Sequence, residues 1–285
     1  MTTLHTHMSP MSAPSADFSA PIPTANVVPL TAPVQWLRAG VRDMQRCGGL
    51  SLAHGVLLAA FGLALMVLAH RQFWLLAGAF SGFLVVAPVL ATSLYAMSRS
   101  IEHGGAIRWQ LLRDTWLSWQ QSRFAESGGY WCLVRFGLLL ALAGTGWVLT
   151  SAALITLLAP APINSPVDFL RHIVAAHDNF LFEAWLAMGG VLAAPIFASS
   201  VVAMPLLLDR RASVLQAVLT SWRVVLANPG PMAVWAALIM LLVLVGFATA
   251  MLGLIVVVPV LGHASWHAYR SLVDASALPE RPRVQ

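Results

Sequence analysis

The feature that most constrains this chain is a series of apolar segments, each long enough to cross a lipid bilayer as a helix. A membrane-spanning helix needs about 20 mostly apolar residues, and a helix satisfies its backbone hydrogen bonds within one segment. The stretch from Pro231 to Arg270 carries no charged residue before its final arginine, and its length suffices for two spans joined by a tight turn. The six predicted spans are 50–69, 73–97, 132–158, 184–208, 232–250 and 254–270.

The turn within the last apolar stretch is predicted at Gly246 or Gly253, because glycine adopts backbone conformations that other residues avoid. The alternative interpretation is five spans and one re-entrant segment. Charged residues form only 9% of the sequence, whereas about 25% is usual in soluble domains. The sequence therefore predicts an all-α, polytopic membrane protein.

The arginines predict the orientation of the chain. All 16 basic residues are arginine, and placing the N-terminus in the cytoplasm leaves only Arg71 and Arg171 outside. Membrane proteins carry their excess of positive charge on the cytoplasmic side, so both termini are predicted to be cytoplasmic. Because the arginines flank apolar segments and form no single basic patch, the expected partner is the lipid bilayer and not nucleic acid.

Three predicted cytoplasmic segments have the pattern of amphipathic helices, at 34–47, 106–124 and 212–227. Such helices next to a span tend to lie in the membrane interface. The apolar face of the first is formed by Trp36, Leu37, Val41 and Met44. Tryptophans near the ends of spans predict an interfacial aromatic belt. These tryptophans are Trp74, Trp131, Trp185, Trp235 and Trp266.

The chain also contains an internal repeat, in which residues 82–100 align with 253–271. The identities that apolar composition does not explain are Gly82 with Gly253, Pro88 with Pro259, and Arg99 with Arg270. We therefore predict three units, each an amphipathic helix followed by a helical hairpin, at about 34–103, 104–211 and 212–273. They form a six-helix membrane domain (34–273) between a disordered Pro- and Ser-rich N-terminal tail (1–33) and a C-terminal tail (274–285).

Three sequence motifs resemble a bacterial family of predicted integral membrane proteins of unknown function. They are WLRAGVRDM (36–44), APVLATSLYAMSRSIEHG (87–104) and PVLGHASWHAYRSLV (259–273). The resemblance implies a multi-pass protein of the bacterial inner membrane and supplies no catalytic residues. Some members are labelled as cytochrome c oxidase subunits, but this sequence lacks the multi-histidine set that would ligate haem and copper.

Three histidines are the main candidates for a binding site. His263 and His267 are four residues apart and share one face of the last helix, while His54 lies about one turn inside the first. Histidines within a membrane suggest function, and these three could hold a metal ion or haem. The alternative interpretation is that they form hydrogen bonds with backbone, serine or tyrosine groups near the interface. A second polar group, in the outside loop, is more simply a surface helix (Asp168, His172, His177 and Asp178).

The sequence contains no phosphate-binding loop, nucleophile elbow or zinc-protease motif, and no pair of carboxylates within a span. We therefore expect a non-catalytic membrane protein without a required cofactor. Its predicted role is an accessory, scaffold or assembly factor of an inner-membrane complex, such as a respiratory complex. The repeat and its paired prolines support one alternative, a transporter or channel for an apolar or weakly polar solute. The histidines support the other, a haem- or metal-binding protein.

Overall fold

The computed structural model describes residues 22–69, 90–121, 131–163, 165–176 and 180–281. This part of the chain is almost entirely helical, which confirms the predicted all-α class. Its helices are α1 (Ala32–Cys47), α2 (Gly49–Ala69), α3 (90–102), α4 (Trp109–Gln121), α5 (Trp131–Leu158), α6 (Pro166–Phe169), α7 (Leu181–Ser200), α8 (Ala203–Asp209), α9 (Val214–Ala227), α10 (Pro229–Ala248) and α11 (Leu254–Leu272). A π-helical turn follows α6 (Leu170–Val174), and two short strands, β1 (Thr24–Ala25) and β2 (Val273–Asp274), pair antiparallel.

Three helical segments in the described part are long and apolar enough to cross a membrane: Trp131–Leu158, Leu181–Asp209 and Pro229–Ala248. A fourth arises if α1 and the first part of α2, which are bent by 104° relative to each other, count as one broken span. These helices support a membrane protein, but they do not confirm the six predicted spans. Most of the predicted span at 73–97 lies outside the described residues.

The last apolar stretch is divided into two helices, α10 and α11, as predicted. The backbone φ angles in the intervening turn are positive at Ala250 (51°) and Met251 (67°), and not at either predicted glycine. Gly246 instead faces Leu254, where an added Cβ would collide with the leucine side chain. The glycine therefore permits close approach of the two helices, and the turn itself is made by other residues.

The best-packed region, which we call the head, comprises residues 22–47, 90–102, 201–228 and 259–281. Every residue of α8 is buried there, between α5, α9 and α11. Trp235 and Trp266 are each only 1% exposed, so the prediction that they belong to an interfacial belt is wrong. Trp235 packs edge-to-face against Trp36, with ring centroids 5.7 Å apart. Tryptophan near the end of an apolar segment is equally suited to a protein core.

The N-terminal segment is already structured before residue 33, the predicted end of the disordered tail. Residues 1–21 lie outside the described residues, but β1 pairs with β2, and the Asn26 N–H donates to the Leu272 carbonyl (2.9 Å). The Asn228 side chain accepts from the Val28 N–H and donates to the Asn26 carbonyl, both at 2.9 Å. Composition predicted disorder because these stabilising partners are about 200 residues away in the sequence.

Helices occupy all three segments predicted to be amphipathic, as α1, α4 and α9. The face of α1 that is buried differs from the one predicted, because Val41 is exposed and only Trp36 of the predicted face is buried. The buried face packs on α11, and a Cβ at Gly40 would lie 2.6 Å from the Val260 carbonyl oxygen. Small side chains thus bring α1 against another helix.

The two predicted repeat helices, α3 and α11, are in contact and run parallel. Leu94 packs where Gly262 has no side chain, Ser98 contacts His263, and Glu102 contacts Trp266. Parallel packing is the geometry expected when repeats enter the membrane from the same side. Gly82 and Pro88 lie outside the described residues, and Gly253 and Pro259 lie at the start of and within α11. The repeat itself stays a prediction.

Candidate functional site

The first polar site lies where α1, α2, α3 and α11 meet. Gly48 separates α1 from α2 and has a φ of +57°, which favours glycine and directs α2 back along α11. Within α11, Pro259 cannot donate to the carbonyl of Ile255, and that carbonyl lies against Gly55 of α2. A side chain at residue 55 would collide with it, so glycine is needed for α2 to approach α11.

Five side chains at this junction form one continuous hydrogen-bonded series, which we call the polar chain. Ser51 Oγ is 2.8 Å from His263 Nε2, and His263 Nδ1 is 2.7 Å from Ser98 Oγ. The Ser98 hydroxyl donates to Asp43 Oδ2 at 2.8 Å, and His267 Nε2 is 2.8 Å from the same oxygen. The polar chain therefore links all four helices through side chains alone.

The positions of the hydrogens in the polar chain follow from the donors present. Because Ser98 uses its one hydrogen for Asp43, it must accept from His263 Nδ1–H. In the neutral His263 ring Nε2 then has no hydrogen and accepts from the Ser51 hydroxyl. His267 Nε2–H donates to the carboxylate from the other side. Every hydrogen in the series points toward Asp43 Oδ2.

Four members of the polar chain are removed from solvent, whereas one reaches it. Ser51 and His263 are 0% exposed and Asp43 is 4% exposed. The His267 side chain is 31% exposed. A buried carboxylate is costly unless it has partners, and the polar chain supplies two hydrogen-bond donors to Asp43, Ser98 Oγ and His267 Nε2. It also connects the fully buried Ser51 with the surface.

His54 lies one turn after Ser51 on α2. Its Nδ1 bonds to the Leu50 carbonyl oxygen at 2.8 Å, so Nδ1 carries the hydrogen. Its Nε2 is buried and accepts no hydrogen bond within the part of the chain that the structure describes. Buried polar groups are usually paired, so such an acceptor is unusual.

The three histidines of the sequence hypothesis thus meet at one helix junction, but in another bonding pattern. Both His263 nitrogens bond to serines, and His267 bonds to Asp43. Across the described ranges, no three His, Cys, Asp or Glu side chains are grouped closely enough to hold a metal ion. The metal or haem role of His54, His263 and His267 stays a prediction, and the observed contacts are those of its hydrogen-bonding alternative.

A second polar site is centred on Asp209, at the end of α8. Its Oδ1 accepts from Arg99 Nε at 2.8 Å, and its Oδ2 accepts from the Tyr269 hydroxyl at 2.8 Å and from Arg210 Nε at 3.0 Å. The Asp209 side chain is 3% exposed. Burial lowers the pKa of Arg210, but the charge and hydrogen bond of Asp209 outweigh it and raise that pKa overall. One buried carboxylate thereby fastens α3, α8 and α11 together.

The C-terminal segment continues this second site up to residue 281. Arg281 donates through Nε to the Leu207 carbonyl oxygen at 2.8 Å, and its own carbonyl accepts from Arg99 Nη2 at 2.9 Å. Arg210 also forms an ion pair with Glu280, at 3.0 Å. The predicted tail at 274–285 is therefore bound to the head over its described residues, through the Arg281 side chain on α8, the Arg281 carbonyl on α3 and the Glu280 side chain on Arg210.

The two arginines that the repeat singled out both form ion pairs between helices. Arg99 pairs with Asp209, and the side chain of Arg270 pairs with Glu102 at 2.8 Å. Glu102 also accepts from the Trp266 indole at 3.0 Å. The Arg99 pair is buried, whereas the Arg270 and Glu102 side chains are 38% and 36% exposed. The matched arginines therefore share a role and differ in burial.

In the polar loop at 159–183, the residues from Pro166 to Val174 are helical, in line with the predicted surface helix, but one side of this segment is buried. A short α6 leads into the π-helical turn, where Ile173 is fully buried against Ile155 and Leu181. Asp168 and His172 belong to these elements, and His177 and Asp178 lie outside the described residues. The apolar side chains of Ile173 and Phe169 thus make tertiary contacts in this segment.

Sequence reasoning missed Asp43, Ser51, Ser98 and Asp209, each of which makes the central contacts described above. A partial signal was present, since Asp43 stands on the same face of α1 as the buried Trp36. A carboxylate on an apolar face requires a partner. Nothing in the local pattern identified the serines as that partner or as neighbours of His263.

Residues 75–209 match the family model described as "Predicted integral membrane protein (DUF2189)". This segment includes the motif at 87–104 and ends at Asp209, whereas the motifs at 36–44 and 259–273 lie beyond it. No curated protein and no solved structure matches the chain. The match does not confirm the oxidase label that some members carry. Over residues 75–209, the chain is therefore similar to the DUF2189 family of predicted integral membrane proteins.

Proposed function

We propose that the protein is a non-catalytic accessory, scaffold or assembly factor of an inner-membrane complex. The observation that carries this proposal is how the head uses its charges. Arg99 with Asp209, Arg210 with Glu280, and Arg270 with Glu102 each join separate segments of the chain. Because these ion pairs connect its helices, the head is expected to be rigid. A rigid surface suits a protein that binds and holds a partner.

We also propose that this body is embedded as a six-span protein with both termini in the cytoplasm of a bacterium. The distribution of arginines supports this orientation. The parallel packing of α3 and α11 fits hairpins that enter from the same side. Reporter fusions at residues 71, 171 and 285 test the arrangement, with external signals expected at the first two sites and an internal signal at the third.

The functional proposal is tested by purifying the full chain from its own membranes in mild detergent. We expect a colourless, metal-free preparation with a stoichiometric membrane-protein companion. Arg99→Gln removes the buried ion pair of the head and should release the companion. Arg113→Gln, at a side chain of α4 that is 64% exposed, is the matched control and should retain it.

Two outcomes would replace the proposal. A Soret band or stoichiometric metal that is lost in His263→Ala would assign the protein to cofactor binding. A companion-free protein that moves a solute across proteoliposome membranes would assign it to transport.

A further inference from the structure

We propose that the polar chain is a proton relay between water at the head surface and the buried ring of His54. The inference rests on the geometry of the four-helix junction and is independent of the proposed scaffold role. It assigns a function to five side chains that make an unbroken series of bonds between 2.7 and 2.8 Å, from buried Ser51 to exposed His267.

The relay works by passing one hydrogen at each bond. When protonated His54 gives a proton to Ser51 Oγ through one bridging water, the serine gives its own to His263 Nε2. His263 then releases the hydrogen on Nδ1 to Ser98, and Ser98 releases its hydrogen to Asp43 Oδ2. The net result is a neutral His54 and a neutral Asp43, with the His263 hydrogen moved from Nδ1 to Nε2.

The hydrogen positions inferred from the donors present are those that this transfer requires. Each donor already points to the next acceptor on the way to Asp43, so no side chain has to rotate before the proton moves. Neutral imidazole suits such a position because it accepts a proton at one nitrogen while releasing another from the second.

Exchange with water occurs at His267. Its side chain is partly exposed, so its one ring hydrogen can shift between the nitrogens through solvent. With the hydrogen on Nδ1, its Nε2 accepts the proton of Asp43 and Nδ1 releases a proton to water. Asp43 is then again a carboxylate. Before a second proton can pass, the His263 hydrogen must return from Nε2 to Nδ1 and the hydroxyls of Ser51 and Ser98 must return to their starting orientations.

His54 is the buried end of the relay because of its position and its free acceptor. Side chains three residues apart on a helix are neighbours, with Cβ atoms about 5–6 Å apart. Ser51 and His54 therefore share one face of α2, within the reach of one bridging water. The buried His54 Nε2 accepts nothing from the described residues, so it is available to take up a proton.

The charged groups next to the relay on α3 are engaged elsewhere. Arg99 bonds to Asp209, and Glu102 bonds to Arg270 and Trp266. Neither competes for the hydrogens of Ser98, which lies between them in sequence. The relay and the second polar site thus share no hydrogen bond among those of Arg99 and Glu102 described here.

The test is the rate at which the buried ring hydrogen of His263 exchanges with water. The full chain, labelled with ¹⁵N-histidine and held in lipid nanodiscs, is studied by water-exchange NMR. His267→Gln keeps a hydrogen-bond donor for Asp43 but cannot carry a proton. It should slow the exchange by about tenfold, equivalent to about 1.4 kcal/mol in the transfer barrier. Ser98→Ala should slow it similarly.

The sign of this effect separates a relay from a structural network. A purely structural network loosens when a bond is lost, so the exchange would accelerate in both variants and the proposal would be overturned. Unchanged exchange in His267→Gln would overturn it equally. Ser265→Ala is the control on the same helix, because its hydroxyl bonds to the Leu261 carbonyl outside the relay, and it should not alter the rate.

The buried end is tested separately by the protonation of His54 after a rapid pH change. Ser51→Ala should slow this protonation by about tenfold, whereas Ser265→Ala should leave it unchanged. A His54 that is protonated equally fast in Ser51→Ala would exclude it from the relay.

Discussion

The head and the helices beside it use the same apolar residues in opposite ways. In the head, α8 is buried on every side. In α5, α7 and α10, large side chains such as Leu142 (68% exposed), Val191 (72%) and Met240 (62%) face outward. We call these three helices the apolar belt. The ion pairs between helices lie in the head. The two regions therefore differ in their polar contacts between helices and not in how apolar their helices are.

The largest expected effect comes from breaking the Asp209 site of the head. Asp209→Ala leaves Arg99 buried without its carboxylate and also removes an acceptor from Tyr269. Loss of one partner of a buried ion pair typically costs about 3–5 kcal/mol. Thermal unfolding in detergent, followed by circular dichroism, should show this loss. Asp114→Asn is the control, and an equal loss in both variants would contradict the special role of Asp209.

A charge in the apolar belt tests whether that region faces lipid. Leu142 lies near the middle of α5 and is exposed. An aspartate at the centre of a membrane-spanning helix costs about 2.5–3.5 kcal/mol in insertion. Leu142→Asp should therefore reduce the membrane-inserted fraction in a translation and insertion assay. Full insertion of this variant would show that the exposed face of α5 does not contact the bilayer core.

Packing within the head is tested at Gly40. In Gly40→Ala the new methyl group would approach Val260 and Ala264 of α11 at less than 3 Å. Overpacking of this kind typically costs about 1–3 kcal/mol. We expect a lower unfolding temperature than for Gly190→Ala, since Gly190 has open space around it. Equal temperatures would mean that α1 is not held against α11.

The smallest effect should come from the exposed member of the repeat pair. Arg270→Gln removes a partly exposed ion pair, and such pairs contribute about 0–1 kcal/mol. Arg99→Gln removes the buried equivalent and should cost several times more. Unfolding of both variants under the same conditions measures the difference. A larger loss of unfolding free energy in Arg270→Gln than in Arg99→Gln would contradict the view that the buried ion pair is the stronger one.

The sequence predicted the structure correctly where a local pattern of residues is enough to specify it. A run of apolar residues such as α10 specifies a helix, because in lipid the backbone has few other ways to satisfy its hydrogen bonds. The i, i+4 spacing placed His263 and His267 on one face of α11, as observed. The same reasoning assigned Trp235 and Trp266 to an interfacial belt, whereas both are buried within the protein, because a tryptophan suits both environments.

The sequence by itself determined the membrane class, the helical positions and the split of the last apolar stretch into α10 and α11. The tertiary structure alone decided which polar groups meet. Asp43 and Ser98 are 55 residues apart, and Ser98 and His263 are 165 residues apart. The periodicity of a helix determines on which face a residue lies. The partner that this residue meets depends on how distant helices pack against each other. No local pattern in a single sequence specifies that packing.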